Sequence, residues 1–440
     1  MGHNDSAVTT DLDPFWMPFS PNKEFKKEPR LFVRGEGMYL YTPDGRAVID
    51  ASSGLFCVAA GHCRPEIADA VHRQLMTLDF AGSFLRAHPK AFELANRVVQ
   101  YTPEGMNRVF FVNSGSEAVD TAMKMALMYH RVQGHAERQI FVSRERAYHG
   151  VNLGGVALGG MVNNRRAFGT GLPTVYHMRH TGLPENRMVK GQPPAGAELA
   201  DDLQRICQTY GGENIAAVFV EPTAGSSGCL PPPKGYLNRL RQICDQNGIL
   251  LVFDEVICGW GRMGANFGAQ AFGVTPDLLL MAKALTNAAQ PMGAVVARQS
   301  VYDTITNAGA ERAIEFFHGY TYSAHPASCA AALATLAIFD KERLVDRARE
   351  MSPYFIDAVH SLSDLRCVLD IRSIGMLAAV ELHPQGAPGS LGHEVQKRLY
   401  DQGLHLKSTG ESLLLAPPFI AERRHIDEIV TKLRTVLSEI

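Results

Sequence analysis

The chain has 440 residues, of which 46% are hydrophobic and 20% charged, and its formal net charge is −2. This composition is that of a globular protein, and the length allows two or three domains. A charge near zero offers no basic surface for nucleic acid or anionic membranes, and no apolar run approaches the roughly 18 residues of a membrane-spanning helix.

The N-terminus and the cysteines favour a cytoplasmic protein. Residues 1–6 lack the basic and apolar regions of a signal peptide. Gly2 and Ser6 fit the short myristoylation pattern, but lone matches of this kind are common. The eight cysteines are scattered without a Cys-x-x-Cys pair, so we interpret them as small buried hydrophobic residues and expect neither disulfides nor a metal site.

After a hairpin-like segment at 38–46, apolar β-branched runs alternate with helical patterns. Such alternation is typical of a largely parallel sheet with helices on its faces. Strands are predicted at 108–112, 139–142, 215–220, 249–253 and 278–281. Helices are predicted between them at 117–130, 198–210 and 236–247.

After Pro326 the pattern changes to long helices and short strands. Helices are predicted at 327–339, 341–362, 392–402 and 423–437, and strands at 367–371, 377–382 and 412–415. The fold class is therefore α/β, with a large domain over residues 61–326 and a smaller α+β domain over 327–440. The N-terminal segment, residues 1–60, is predicted to pack with the smaller domain.

The strand at 108–112 runs into Asn113-Ser114-Gly115-Ser116-Glu117 at the start of a helix. Ser114 and Glu117 have the spacing of a capping box, and a well-capped helix is one interpretation. The other is that free N–H groups at this helix start, together with the serine hydroxyls, bind a phosphate. Gly115 would then let the backbone approach it closely.

Asp254 and Lys283 each end a buried-looking strand, where parallel strands deliver side chains to a crevice. Asp254 alone is equally a helix cap or a salt-bridge partner, and a strand-end lysine commonly faces solvent. Together they suit pyridoxal 5′-phosphate (PLP), which needs a lysine for its Schiff base and a partner for its pyridinium nitrogen. Apolar surroundings make the neutral amine of Lys283 easier to reach. Val256 returns to the side of Asp254 and can pack against a flat ring.

Two further strand-end features are more ambiguous. Tyr148, in Tyr148-His149-Gly150, can stack on a pyridine ring, although an isolated aromatic at such a position more often serves plain packing. Glu221 follows the strand at 215–220 and has the same two interpretations.

A Gly-x-Gly-x-x-Gly match at 259–264 is the signature of a dinucleotide site. Such a site requires a long helix after the glycines and an acid about 20 residues later. Gly268, Gly273 and Pro276 break the helix and Asp277 comes too early, so we predict no nicotinamide cofactor here.

These motifs occur in the order seen in class III PLP-dependent aminotransferases, which the chain resembles from about Phe15 to its C-terminus. The resemblance rests on 113–117, Tyr148-His149-Gly150, Asp254-Glu255-Val256, Lys283 and Gly319-Tyr320-Thr321-Tyr322. It is strongest to ω-amino acid (β-alanine):pyruvate aminotransferases, through Phe15-Trp16-Met17-Pro18-Phe19 and segments 231–237, 291–295 and 318–326.

The resemblance implies a PLP-dependent transferase of fold type I, with a mostly parallel seven-stranded sheet. It also implies a homodimer, or a dimer of dimers, with active sites at the subunit interface. The residues expected to hold the cofactor are Lys283 through the Schiff base, Asp254 at the pyridinium, Tyr148 and Val256 on the two ring faces, Glu221 nearby, Ser114, Gly115 and Ser116 at the phosphate, and Thr321 at the phosphate of the neighbouring subunit's cofactor. Lys283, Asp254 and Tyr148 are the expected catalytic residues.

Phe19, Phe56 and Lys407 are expected in the substrate pocket. Relatives commonly have tryptophan at the position of Phe56, and the family's carboxylate-binding arginine aligns with Lys407. A guanidinium binds a carboxylate bidentately, whereas an ammonium is a point charge and a poorer geometric match.

The predicted reaction is ping-pong transamination from an ω-amino acid such as β-alanine, or from an amine, to a 2-oxo acid, pyruvate. Lys283 is the expected base that moves the donor's α-proton. Within the same chemistry, the alternatives are an aminomutase and a transaminase of other donors such as taurine. From other classes, they are a nicotinamide dehydrogenase and a non-catalytic structural dimer.

Overall fold

A computed structural model describes residues 11–169 and 171–440, in which strands and helices alternate. The strands are β1 (Arg34–Glu36), β2 (Tyr39–Tyr41), β3 (Ala47–Asp50), β4 (Met106–Val112), β5 (Ile140–Arg144), β6 (Val175–Met178), β7 (Ile215–Val220), β8 (Leu250–Asp254), β9 (Leu278–Met281), β10 (Gly293–Arg298), β11 (Val368–Ile374), β12 (Leu377–Leu382), β13 (Leu404–His405), β14 (Lys407–Thr409) and β15 (Ser412–Leu415). The helices are α1 (Asn22–Phe25), the distorted turn α2 (Ser53–Phe56), α3 (Pro65–Thr77), α4 (Pro89–Val98), α5 (Gly115–Val132), α6 (Leu153–Leu158), α7 (Val162–Phe168), α8 (Asp201–Tyr210), α9 (Tyr236–Asn247), α10 (Gly268–Phe272), α11 (Gln299–Asn307), α12 (Pro326–Lys341), α13 (Leu344–His360), α14 (Ser390–Asp401) and α15 (Arg423–Leu437).

The large sheet has seven strands in the order β4-β10-β9-β8-β7-β5-β6. The five strands from β9 to β6 are parallel, whereas β10 is antiparallel to both of its neighbours. Strands β7, β8 and β9 are buried along their whole length, as expected for strands covered on both faces. The predicted mostly parallel seven-stranded sheet is therefore confirmed.

The topology brings the carboxyl ends of six strands, β4 to β9, to one edge of this sheet. Because β10 is antiparallel to both β9 and β4, β4 runs in the same direction as the parallel strands. The residues that follow β4, β5, β7, β8 and β9 consequently meet at the carboxyl edge, which is where α/β sheets bind their ligands. The strand-end residues predicted to contact PLP lie in these connections, except Asp254, which is the last residue of β8.

Two four-stranded sheets complete the architecture, with the orders β1-β2-β3-β13 and β11-β12-β15-β14. In the first, Ile49 and Asp50 of β3 pair in parallel with Leu404 and His405 of β13. The N-terminal segment thus joins a strand from the C-terminal part of the chain. The exact division into domains stays a prediction.

Within residues 11–169 and 171–440, no helix has the length and apolarity needed to cross a bilayer. The same residues contain no cluster of three or more His, Cys, Asp or Glu side chains arranged as metal ligands. The eight cysteines are all free. Gly2 and Ser6, the residues of the myristoylation pattern, lie outside the described residues.

Gly293 lies where the backbone of β10 packs closely against the start of α5. A Cβ at this position would lie 2.7 Å from the carbonyl oxygen of Ser114 and 3.0 Å from that of Met281. Since both atoms are backbone, no change of side-chain rotamer relieves the contact. We expect Gly293→Ala to lower the free energy of unfolding by about 1–3 kcal/mol, measured by urea denaturation.

Gly82→Ala is the matched control, because its Cβ would meet nothing closer than the Phe80 ring at 3.8 Å. Its stability should stay within about 1 kcal/mol of wild type, if anything on the stabilising side. Equal denaturation midpoints for the two variants would contradict this account of β10.

Candidate active site

The connections at the carboxyl edge enclose a cavity. Its lining consists of Gly115, Ser116, Tyr148, His149, Gly150, Glu221, Asp254, Val256, Ile257, Ala282 and Lys283. Seven of the nine residues predicted to hold the cofactor therefore lie together. Ser114 and Thr321 are the two that do not line this cavity.

Ser114 is the N-cap of α5, and its hydroxyl accepts a hydrogen bond from the backbone N–H of Glu117 at 3.2 Å. The carboxylate of Glu117 reaches back to the N–H of Asn113, at 2.7 Å, and not to that of Ser114. The predicted reciprocal capping box is thus only half formed. The N–H groups of Gly115 and Ser116 lie in the first turn, have no intrahelical acceptor and can bind an anion.

Two glycines are required for the backbone to close around this helix start. A Cβ on Gly115 would lie 3.0 Å from Val256, and one on Gly150, where φ is 91°, would lie 2.4 Å from the Ser116 hydroxyl. That hydroxyl accepts a hydrogen bond from the N–H of Val151 at 3.1 Å. The result is a narrow cleft in which small anionic groups meet backbone donors.

Asp254 is buried, with 5% exposure, and is oriented by its neighbours. Its Oδ2 lies 2.8 Å from Nδ1 of His149, and its Oδ1 accepts from the N–H of Val256 at 3.1 Å. Nε2 of His149 in turn lies 3.1 Å from the hydroxyl of Ser143. Since an ionised carboxylate only accepts hydrogen bonds, His149 donates from Nδ1 to Asp254.

His149 is the functional residue that sequence reasoning missed. It stands between two residues of the Tyr148-His149-Gly150 motif, and only its place beside a candidate ring-stacking tyrosine drew notice. Its partners, Ser143 and Asp254, belong to two different strands. A contact of this kind is set by sheet order, which the local pattern does not contain.

Glu221 is buried with 3% exposure and holds two connections in place. Its carboxyl oxygens accept from the N–H of Tyr148 at 3.0 Å and from that of Gly225 at 3.1 Å. Burial raises the pKa of Glu221, and the nearby charge of Asp254 raises it further. Glu221 therefore shapes the loop that presents Tyr148.

Lys283 follows β9 with a positive φ of 51°. Its Nζ donates to the carbonyl oxygen of Leu55 at 3.1 Å and lies 5.8 Å from the centroid of the Phe56 ring. Burial lowers the pKa of Lys283, although Cys57, Asp254 and Glu221 oppose the shift. A lysine whose ammonium is disfavoured supplies the neutral amine that attacks a carbonyl.

A second lysine, Lys407, also lies near the ring of Phe56. Nζ of Lys407 lies 5.7 Å from the same ring centroid, and burial followed by the charge of Lys283 lowers the pKa of Lys407. Across the described part of the chain, no carboxylate lies within salt-bridge distance of Lys407. Phe56 and Lys407, both expected in the substrate pocket, therefore lie close together. Among the described residues, the ammonium of Lys407 has no carboxylate as a counter-ion.

Phe19 and Thr321 lie apart from the cavity of this one chain. Phe19 is 77% exposed and Thr321 is also exposed. Their roles, in the substrate pocket and at a neighbouring subunit's phosphate, stay predictions. The glycine segment at 259–264 is followed by α10, a helix of five residues, which is too short for the dinucleotide motif.

The cavity fits the chemical groups of PLP. A primary amine faces it from Lys283, a buried carboxylate from Asp254, and a helix start narrowed by two glycines from α5. These groups match an aldehyde, a pyridinium nitrogen and a phosphate respectively. The residues present are thus those that this cofactor needs.

Comparison with known proteins agrees with this geometry. The class-III aminotransferase family matches residues 22–437. The chain is 53% identical to an omega-aminotransferase of Caulobacter vibrioides over 98% of both chains, and 46% identical to a beta-alanine–pyruvate aminotransferase of Pseudomonas aeruginosa over 95% of this chain and 94% of that one.

Among solved structures, it is similar to the omega transaminase of Pseudomonas jessenii in complex with PMP, the aminated form of the cofactor. The TM-score is 0.91 and the identity 31%, over 97% of this chain and 96% of the other. The chain belongs to the class III aminotransferases, and it is accordingly a PLP-dependent enzyme that transfers amino groups.

Proposed function

We propose that the enzyme moves an amino group from an ω-amino acid such as β-alanine, or from an amine, to pyruvate in a ping-pong reaction. The observation that carries this proposal is a pair of lysines near one aromatic ring, with Nζ of Lys283 at 5.8 Å and Nζ of Lys407 at 5.7 Å from the centroid of Phe56. One amine serves the chemistry, and the other offers a positive charge to a substrate carboxylate. The names of the relatives from Caulobacter vibrioides and Pseudomonas aeruginosa support the same substrate class.

The cofactor residues act as a preformed cradle. Gly115 and Ser116 would hold the phosphate, Tyr148 and Val256 would pack against the ring, and Asp254 would hydrogen-bond the ring nitrogen and favour its protonated form. Bound PLP supplies an aldehyde that condenses with amines and a ring that delocalises the electrons left when a proton is removed. His149 fixes the carboxylate of Asp254 in the orientation that this contact requires.

Lys283 performs the proton transfers. With its pKa lowered by burial, Nζ of Lys283 would be the base that takes the α-proton of the donor and later gives it back. The hydrogen bond to Leu55 gives the free amine a defined position between these two transfers. The carbonyl oxygen of Leu55 thus holds the base in place.

Lys407 and Phe56 select the substrate. The ammonium of Lys407 attracts the carboxylate of β-alanine or pyruvate, while the Phe56 ring packs against the carbon chain. In a dimer, Phe19 is assigned to the same substrate pocket. Thr321 is assigned to the phosphate of the neighbouring subunit's cofactor.

A homodimer, or a pair of homodimers, accounts for the surface around Thr321. Leu85 and Phe317 are 93% and 89% exposed, and Phe84 and Tyr322 are also exposed. The segment that contains Phe84 and Leu85 lies beside the segment that contains Phe317 and Tyr322, because Ser83 donates to the carbonyl oxygen of Ser323 at 2.9 Å. An apolar patch of this kind is typical of a subunit interface.

We also assign the enzyme to the cytoplasm, and the free state of all eight cysteines supports that assignment. The same proposal divides the chain into a large domain over residues 61–326, a smaller domain over 327–440 and the N-terminal segment before them. The pairing of β3 with β13 supports the placement of that segment beside the smaller domain.

Replacing Lys283 removes the base and the Schiff-base amine together. We expect Lys283→Ala to lower the rate of alanine formation from β-alanine and pyruvate by at least about 10³-fold. Lys432→Ala, at a lysine on α15, is the control and should leave the rate unchanged. Near-normal turnover by Lys283→Ala would refute its role, and amino-group transfer that needs no pyruvate would favour an aminomutase.

Lys407 should affect carboxylated donors selectively. β-Alanine and n-propylamine form a matched pair that differs in the carboxylate, and the first half-reaction is followed by absorbance without pyruvate. In Lys407→Ala we expect KM for β-alanine to rise about 10- to 100-fold, the loss of a charge-assisted hydrogen bond worth about 1.5–3 kcal/mol. KM for n-propylamine should not change, and Lys407→Arg should retain binding of β-alanine. An equal effect on both donors would contradict this assignment.

The lowered pKa of Lys407 predicts a pH dependence. As the pH rises through that pKa the ammonium becomes neutral, so inhibition by propionate should weaken at a lower pH than an exposed lysine would give. In Lys407→Arg the guanidinium stays charged, and the inhibition constant should not rise in this range. Identical pH profiles for the two proteins would show that Lys407 does not bind the carboxylate.

A further inference from the structure

Asp50 is a fully buried carboxylate outside the cavity, and its hydrogen bonds build the turn that faces Lys283. Its Oδ1 accepts from the N–H of Ser52 at 2.9 Å, and its Oδ2 accepts from the N–H of Gly54 at 2.6 Å. Nε2 of His62 lies 2.8 Å from the same Oδ2. Although burial opposes it, the hydrogen bond from His62 helps to hold the pKa of Asp50 below its usual range.

The turn held in this way has an uncommon backbone. φ is positive at Ser53 (47°), Gly54 (64°) and Phe56 (64°), three positions within four residues. Side-chain-bearing residues rarely adopt this region, and they do so where the surroundings impose it. Arg262, also buried, adds a hydrogen bond from Nη2 to the Ser53 hydroxyl at 3.2 Å.

This turn and its continuation contact the Lys283 segment at two points. The carbonyl oxygen of Leu55 accepts from Nζ of Lys283. Further along, the side chain of Asn287 accepts from the N–H of Ala60 at 2.8 Å and donates to the carbonyl oxygen of Gly61 at 2.9 Å. The position of Leu55 relative to Lys283 therefore depends on the hydrogen bonds that Asp50 accepts from the turn.

We propose that Asp50 is a positioning residue. By shaping the turn at 53–56, its carboxylate fixes the positions of the free Lys283 amine and of the Phe56 ring. This inference rests on the proposed function, because it assigns Asp50 a part in the same reaction. Asp50 touches neither the cavity nor a substrate and acts through Leu55 and Phe56. With the turn displaced, Lys283 loses its acceptor and both lysines lose their contact with the Phe56 ring.

Asp50→Asn tests this with little change of shape. One oxygen of the amide still accepts, but the NH₂ group cannot accept and must face an N–H donor, either that of Ser52 or those of Gly54 and His62. His62→Gln keeps a donor for the carboxylate, whereas His62→Ala removes it. Asp44→Asn, at an exposed aspartate of the nearby hairpin, removes the same charge without touching the turn.

The first readout is the rate at which the lysine–cofactor adduct re-forms, by absorbance, when PLP is added back to enzyme from which it was removed. The second is kcat with n-propylamine as donor. We expect Asp50→Asn to slow both by about 10- to 100-fold, the scale of a misplacement of about 1 Å. His62→Gln and Asp44→Asn should match wild type, and circular dichroism should show that each variant is folded.

If Asp50→Asn does not fold, His62→Ala carries the test, since the carboxylate then keeps its two backbone donors. It should give a slowing of both rates that His62→Gln restores. Wild-type rates of adduct formation and turnover in a folded Asp50→Asn or His62→Ala would overturn the proposal. Failure of the proposed function would look different, because wild type itself would then form no alanine from β-alanine and pyruvate.

Discussion

The proposed chemistry of this enzyme depends on one lysine that is largely buried and whose ammonium has no acidic hydrogen-bond partner among the described residues. Lys283 stands at the carboxyl edge of the sheet, where its Nζ has a neutral carbonyl, that of Leu55, as its hydrogen-bond acceptor. A salt bridge would have kept the ammonium charged, whereas burial lowers its pKa. The acids that do lie nearby are engaged elsewhere, Asp254 with His149 and Glu221 with two backbone N–H groups.

The same desolvation acts on Lys407 with a different consequence. It lies on β14, in a sheet other than the one whose edge carries Lys283, and the ammonium groups of both lysines lie close to the ring of Phe56. The charge of Lys283 lowers the pKa of Lys407 beyond the effect of burial. A carboxylate beside Lys407 would stabilise its ammonium against both effects, which is the role proposed for this lysine.

The sheet and most of the cavity were predictable because local signals carry them. Strands β7, β8 and β9 are continuous apolar runs, and Asp254 and Lys283 mark where two of them end. Strand β6 was missed because it is mostly half-buried and is not a continuous apolar run, and β10 because half of its residues are alanine or glycine. His149 and Asp50 were missed for another reason: their partners lie on other elements, and such contacts follow from topology.

The start of α5 shows how two competing interpretations of a sequence can describe one structure. A helix cap and a phosphate site both need the backbone donors of the first turn, so they seem exclusive. Here the hydroxyl of Ser114 binds the N–H of Glu117 and the carboxylate of Glu117 binds that of Asn113. Those bonds leave the N–H groups of Gly115 and Ser116, which line the cavity. The cap therefore leaves these two donors free beside the cavity, where the proposed phosphate contact would need them.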